Sequence, residues 1–223
     1  MNIGELTVGL LGGTGPEGRG LALRWAIAGA EVTIGSRSID RARSAAEELN
    51  QRTGRQVIRF AENAIVARDS EFVLISIPFE HAPSTVEAHQ NDFRAGAILI
   101  DATVAVSFDK GRARYVELPE GSSSEQLRAK LNPEVPLVAA FKTMPAHLLE
   151  DPHQPLDCDE FVASDDKEAK ARVIEAMGFI KGLRPVDAGA LESARTLERM
   201  TALAIGINRR NKIKTARYRV IGL

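Results

Sequence analysis

Residues 7–38, TVGLLGGTGPEGRGLALRWAIAGAEVTIGSRS, constrain the fold of this chain more than any other stretch. An apolar run, Leu6–Leu11, meets a glycine-rich turn and then an amphipathic segment, Glu17–Ala28, stopped by Gly29. A second apolar run, Glu31–Gly35, follows. Strand, tight turn, helix and strand in that order make a βαβ unit, whose strands lie side by side and parallel.

The alternation continues. Apolar runs at Val57–Phe60, Phe72–Ile77, Ile98–Asp101 and Leu137–Phe141 alternate with helical patterns at Asp40–Gln51, Glu62–Arg68, Ala82–Phe93 and Ser123–Leu131. Stretches such as FVLISIP and AILID are apolar at consecutive positions, as befits strands buried on both faces. The expected class is therefore α/β, a Rossmann-type, mostly parallel sheet. Residues 107–124, SFDKGRARYVELPEGSSS, break the rhythm and read as a long surface loop. Pro133 and Pro136 mark a boundary, which gives a nucleotide-binding unit over 1–134 and a smaller C-terminal α/β domain over 135–223. The second part carries an acidic loop at 150–160 and a strand at Phe161–Ala163. A helix at Lys167–Ile180, a strand at Leu183–Val186 and a long last helix, Leu191–Arg209, complete it.

Gly13, Gly15 and Gly18 satisfy G-x-G-x-x-G directly after a strand and at the opening of a helix. Absent side chains let the backbone approach a pyrophosphate, and the helix N-terminus turns N–H groups and a positive dipole toward it. At the end of the second strand, an enzyme that binds NAD usually carries Asp or Glu for the ribose 2′-OH. This chain has Ser36 and Arg37 there, with Arg41 four residues on and on the same helix face. A hydroxyl and two guanidinium groups form a clamp for a 2′-phosphate, and charge-assisted bonds of this kind contribute about 1.5–3 kcal/mol each. The expected cofactor is NADP(H).

Four stretches together resemble the coenzyme F420-dependent NADP reductase family: the unit over 7–38, the strand exit ISIPFEHA, the segment AAFKTMPA, and LRPVDAGALESARTLERMTALAIGINRRN. They span nearly the whole chain. The resemblance implies hydride transfer between NADP(H) and coenzyme F420 as co-substrate. It places Thr14, Gly15, Pro16 and Glu17 at the pyrophosphate, and Ser36, Arg37 and Arg41 at the 2′-phosphate. Ile77, Pro78 and His81 fall at the ribose and nicotinamide, with Val104 and Ala146 on the nicotinamide side. Lys142, Thr143, Met144 and Pro145 become the wall for the deazaflavin, closed by Arg195 and Thr201 on the last helix. The chain departs from the family at Lys142, where some members carry histidine, and at Arg199, where some carry serine.

Hydride transfer between flat rings needs close stacking and exclusion of water, without a protein nucleophile. The sequence offers no G-x-S-x-G, H-E-x-x-H or C-x-x-C, so no catalytic acid or base is expected; Ile77, Val104, Phe141 and Met144 could line an apolar slot. Other readings are an NADPH-dependent reductase of an imine, carbonyl, flavin or metal substrate, and a non-catalytic NADPH-binding module. His147 and His153 near Asp151, Asp157 and Asp159 lack metal-ligand spacing and are expected in a solvated loop. Cys158, flanked by acids, is expected to be unreactive. The basic run NRRNKIKTARYR (208–219) reads as a solvated helix end or, alternatively, an attractor for the polyglutamate tail of F420. A net charge of -1 gives no general nucleic-acid surface, and no window is apolar enough for a membrane span. A single cysteine suits the cytoplasm. A thinly covered substrate slot points to a homodimer or higher homo-oligomer.

Overall fold

The computed structural model describes residues 1–223. Its strands are β1 (Thr7–Leu11), β2 (Glu31–Ser36), β3 (Ile58–Glu62), β4 (Phe72–Ile75), β5 (Ile98–Asp101), β6 (Val106–Asp109), β7 (Arg112–Tyr115), β8 (Leu137–Ala139), β9 (Cys158–Ala163) and β10 (Leu183–Gly189). The helices are α1 (Pro16–Ala28), α2 (Ile39–Thr53), α3 (Asn63–Asp69), α4 (Ala82–His89), α5 (Ser123–Arg128), α6 (Ala146–Glu150), α7 (Lys167–Gly178) and α8 (Ala194–Asn211). One eight-stranded sheet runs in the order β10-β9-β8-β5-β4-β1-β2-β3. Every neighbouring pair is parallel except β8 and β9. The Rossmann-type, mostly parallel sheet is as expected.

Burial alternates along the strands and separates two apolar layers. Leu10 and Leu74 face a core shared with Leu23 and Trp25 of α1, Leu49 of α2 and Val173 of α7. Leu11, Val73 and Ile75 face the other side, against Val66 of α3, Val86 of α4, Leu127 of α5 and Leu197 of α8. With helices on both faces, the strands are apolar throughout.

Three features depart from the sequence reading. Residues 107–124 are only partly loop: β6 and β7 form an antiparallel hairpin, Val106↔Tyr115 to Asp109↔Arg112, and α5 begins at Ser123. The turn is Lys110–Gly111, both at positive φ (46° and 73°), the backbone a two-residue hairpin turn favours. The hairpin's strands, VSFD and RARY, do alternate, but each is only four residues long, so the pattern is a weak signal. Cys158–Glu160, expected in the acidic loop, belong to β9. The C-terminal strands make no sheet of their own: β9 joins β8 through the single pair Ala139↔Ala163, and β10 continues the edge.

Between β8 and α6 the chain turns sharply. Phe141 is fully buried and holds a left-handed backbone, φ 60°, which costs a residue with a Cβ about 1–2 kcal/mol. Its ring stands edge-on to Trp25, with centroids 5.4 Å apart. Trp25 is itself fixed by a 3.1 Å bond from its indole N–H to the Ala176 carbonyl.

Candidate functional site

Strand order reverses direction around β1, with β2 on one side and β4 on the other. A ligand crevice is expected beyond the carboxyl ends of such strands. One is present: a cleft of about 240 Å³ lined by Thr14 and Gly15 after β1, Ser36 at the end of β2 with Arg37 and Arg41 beyond it, and Ile77, Pro78 and His81 after β4. Eight of the residues singled out in the sequence thus converge on one cavity. Gly12, Ser38, Asn63, Ser76 and Thr85 also line it and were not foreseen. Asn63 accepts a bond from the Gly12 N–H at 3.3 Å and so fixes the start of the turn. Its only local signal is a polar residue just after a short strand.

The turn itself is built for an anion. Gly15 caps α1 without a side-chain bond, and Pro16, which has no N–H, follows it. The N–H groups of the first helical turn thus have no capping partner in the chain. The two later motif glycines serve different ends. A Cβ on Gly18 would lie 2.8 Å from Ser76 Oγ and 2.9 Å from Gly13 Cα, so that glycine lets the helix pack on the sheet. A Cβ on Gly15 would meet nothing nearer than 3.9 Å; its bareness leaves space in the cleft. Ser36 Oγ accepts from the Ser38 N–H at 3.2 Å and keeps its own proton free to donate. Arg37 and Arg41 are exposed, belong to no ion pair, and share the cleft with no carboxylate.

Gly13, Pro16, Glu17 and Gly18 sit in the turn but outside the cleft lining. Glu17 keeps part of its surface exposed and makes no side-chain hydrogen bond; its charged neighbours are Glu160, Lys142 and Asp101. Burial and the Glu160 charge push its carboxyl up to about 8. It is therefore largely neutral at pH 7, and adds little negative charge beside an anion site.

Val104, Lys142, Thr143, Met144, Ala146, Arg195 and Thr201 do not line that cleft, and they behave differently. Lys142 does not reach a ligand surface: its side chain is 0% exposed. Its ammonium bonds Asp101 at 2.9 Å, Glu198 at 3.2 Å and the Thr103 carbonyl. Burial alone would lower its pKa, but Asp101 and Glu198 outweigh that and raise it. Asp101 also accepts from the Thr103 hydroxyl (2.6 Å) and the Ser124 hydroxyl (2.6 Å). Glu198 accepts from the Ala105 N–H (3.1 Å) and the Ser123 hydroxyl (2.7 Å). Thr143 is likewise spent, its N–H and hydroxyl donating to Glu160 at 3.1 and 2.8 Å. Burial raises Glu160 most, the Thr143 bonds and Lys142 lower it, and the balance is about 7. Thr201 donates to the Lys142 carbonyl at 2.6 Å. Arg195 forms a two-pronged pair with Glu125 (2.8 and 2.5 Å). Met144 is buried against the thiol of Cys158, and burial lifts that thiol to about 12, which fits an unreactive cysteine. Val104 and Ala146 stay half-exposed.

The family profile described as NADP oxidoreductase, coenzyme F420-dependent, matches residues 7–105. The F420-dependent NADP reductase of Methanothermobacter marburgensis is 36% identical, with 98% of this chain and 99% of that protein covered. Its counterpart in Methanocaldococcus jannaschii is 34% identical over the same shares. A crystal structure named for F420-dependent NADP reduction, from Arthrobacter sp. FB24, superposes with a TM-score of 0.82 at 26% identity, covering 96% of this chain and 99% of that one. Glycerol-3-phosphate dehydrogenase of Coxiella burnetii, 16% identical with a TM-score of 0.59 over 82% of this chain and 54% of that one, shares the fold.

Proposed function

This chain belongs to the F420-dependent NADP reductase family, and we propose on that premise how its residues divide the work. It is an oxidoreductase that moves hydride between NADP(H) and coenzyme F420. The observation that carries the residue assignment is the acid-free cleft holding Arg37 and Arg41 beyond the β1–β2 edge.

The turn Gly13–Gly18, with the uncapped start of α1, receives the pyrophosphate. Ser36, Arg37 and Arg41 clamp the 2′-phosphate, and a carboxylate in their place would repel it. Ile77, Pro78 and His81 border the ribose and nicotinamide, with Val104 and Ala146 on the far side of the ring. Hydride passes between the nicotinamide and the deazaflavin, and the deazaflavin gains or loses a proton with it. No side chain need act as acid or base; the protein aligns two flat rings and keeps water out. The segment 135–223, though part of the same sheet, acts as the closing unit, and its wall from Thr143 to Pro145 packs against the deazaflavin. Lys142 positions that wall without reaching the ring, by tying the exit of β5 to α8. Exposed Phe108 (68%) and Leu203 (53%) support a homodimer, and the lone buried cysteine supports a cytoplasmic setting.

The test is direct. Protein, NADPH and oxidised F420 are mixed, and the deazaflavin's visible absorbance is followed. Bleaching with NADPH but not with NADH supports the reading; no bleaching, or equal rates with FMN, removes it.

A further inference from the structure

Each of the five main surface cavities has arginine in its walls. Three of them also hold carboxylates, such as Glu48 beside Arg19 and Glu31 beside Arg59. Two hold none. One is the NADP cleft; the other is an open groove of about 610 Å³ between the β6–β7 hairpin and the last turns of α8. Arg112 and Arg114 face it from β7, and Arg209 and Arg210 from α8, over a floor of Ile205 and Gly206. All four arginines are exposed. Only Arg114 has an acid partner, Asp109 at 3.3 Å, itself more than half exposed. Elsewhere arginines that meet on a surface are mostly neutralised, as in Arg199–Glu117 and Arg219–Asp157. In a chain of net charge -1, so dense an unneutralised cluster is a local anion site.

Its place along α8 identifies the anion. Ile205–Arg210 begin one turn beyond Thr201, whose hydroxyl holds the deazaflavin wall, so the groove opens about 6–14 Å further along the helix. We infer that this groove receives the oligoanionic tail of F420, the phosphodiester and glutamyl carboxylates that extend from the deazaflavin. The inference rests on F420 being the co-substrate. The ring is then held by shape and the tail by charge. Such contacts are exposed and contribute about 0.2–1 kcal/mol each, so they add affinity that salt screens away.

The experiment compares F420 with the tail-less deazaflavin ribitol under saturating NADPH. In the double variant Arg209→Glu/Arg210→Glu, the ratio of kcat/KM for F420 to that for the tail-less compound should fall roughly five- to thirtyfold. Arg209→Lys/Arg210→Lys should restore most of the ratio. Raising the salt from 50 to 500 mM should lower the wild-type ratio and leave that of the reversed-charge variant nearly flat. An unchanged ratio in the reversed-charge variant overturns the proposal. So does a change of oligomeric state without a change of ratio, which would make the groove a contact between copies. NADPH affinity, measured by its fluorescence, reports whether the variant is folded. If wild-type protein reduces neither compound, it is the F420 assignment that fails rather than the groove.

Discussion

The arginine-lined cleft and the segment around Lys142 use polar residues in opposite ways. In the cleft, donors are left open: Arg37 and Arg41 pair with nothing, α1 begins without a side-chain cap, and Ser36 keeps a proton to give. Around Lys142, polar side chains are consumed internally: Lys142 by two carboxylates, Thr143 by Glu160, Thr201 by a carbonyl, Arg195 by Glu125. The first arrangement leaves its donors free for an anion, as the proposed phosphate clamp requires. The second makes a stiff platform whose exposed features are backbone and small apolar surface, which suits a stacked ring.

The contrast breaks most visibly at Lys142. Lys142→Ala leaves Asp101 and Glu198 buried without their cation, a loss of about 3–5 kcal/mol, and thermal unfolding should show Tm lower by about 10 °C. Normal stability with a raised KM for F420 would mean that the lysine faces the substrate after all. Arg37→Ala should do the reverse. Calorimetry should find NADPH bound roughly ten- to a hundredfold more weakly, NADH little changed and Tm unmoved; equal losses for both nucleotides would deny the phosphate clamp.

A smaller effect sharpens the comparison through pH. Glu17 and Glu160 titrate at about 8 and about 7 in the fold, above their unfolded value, so folding favours their neutral forms. That advantage is whole below about pH 4.5 and drains away as pH climbs through 7 and 8. Tm measured from pH 6 to pH 9 should decline by about 3 °C or more, and Glu17→Gln should flatten part of the slope. An unaltered slope in that variant would place the titration elsewhere. The smallest change is Thr201→Val, which removes one hydroxyl from the Lys142 carbonyl and should cost about 1 kcal/mol in chemical denaturation.

Local chemistry was legible in the sequence and distant pairing was not. The βαβ unit could be read because continuous apolar strands, a glycine turn and a strand-end arginine are all signals within about 30 residues. Lys142 was misplaced as a ligand contact because its partners lie 41 and 56 residues away, so nothing beside it in the chain announces a buried ion pair. The hairpin is hard to read because its strands, such as RARY, are four residues long, and so short an alternation is a weak signal. The continuity of the sheet into β9 depends on one bridge between Ala139 and Ala163, and alanines carry no pairing signal.

Phe141 bears on how such an enzyme could change its acceptor. A bulky ring locked in a left-handed bend against Trp25 leaves few neighbouring conformations for the segment that follows. Substitutions around it would sooner collapse the bend than retune it. New acceptor preferences would then arise on the surface hairpin and the exposed face of α8, away from Glu198 and Thr201, which hold that joint through Lys142.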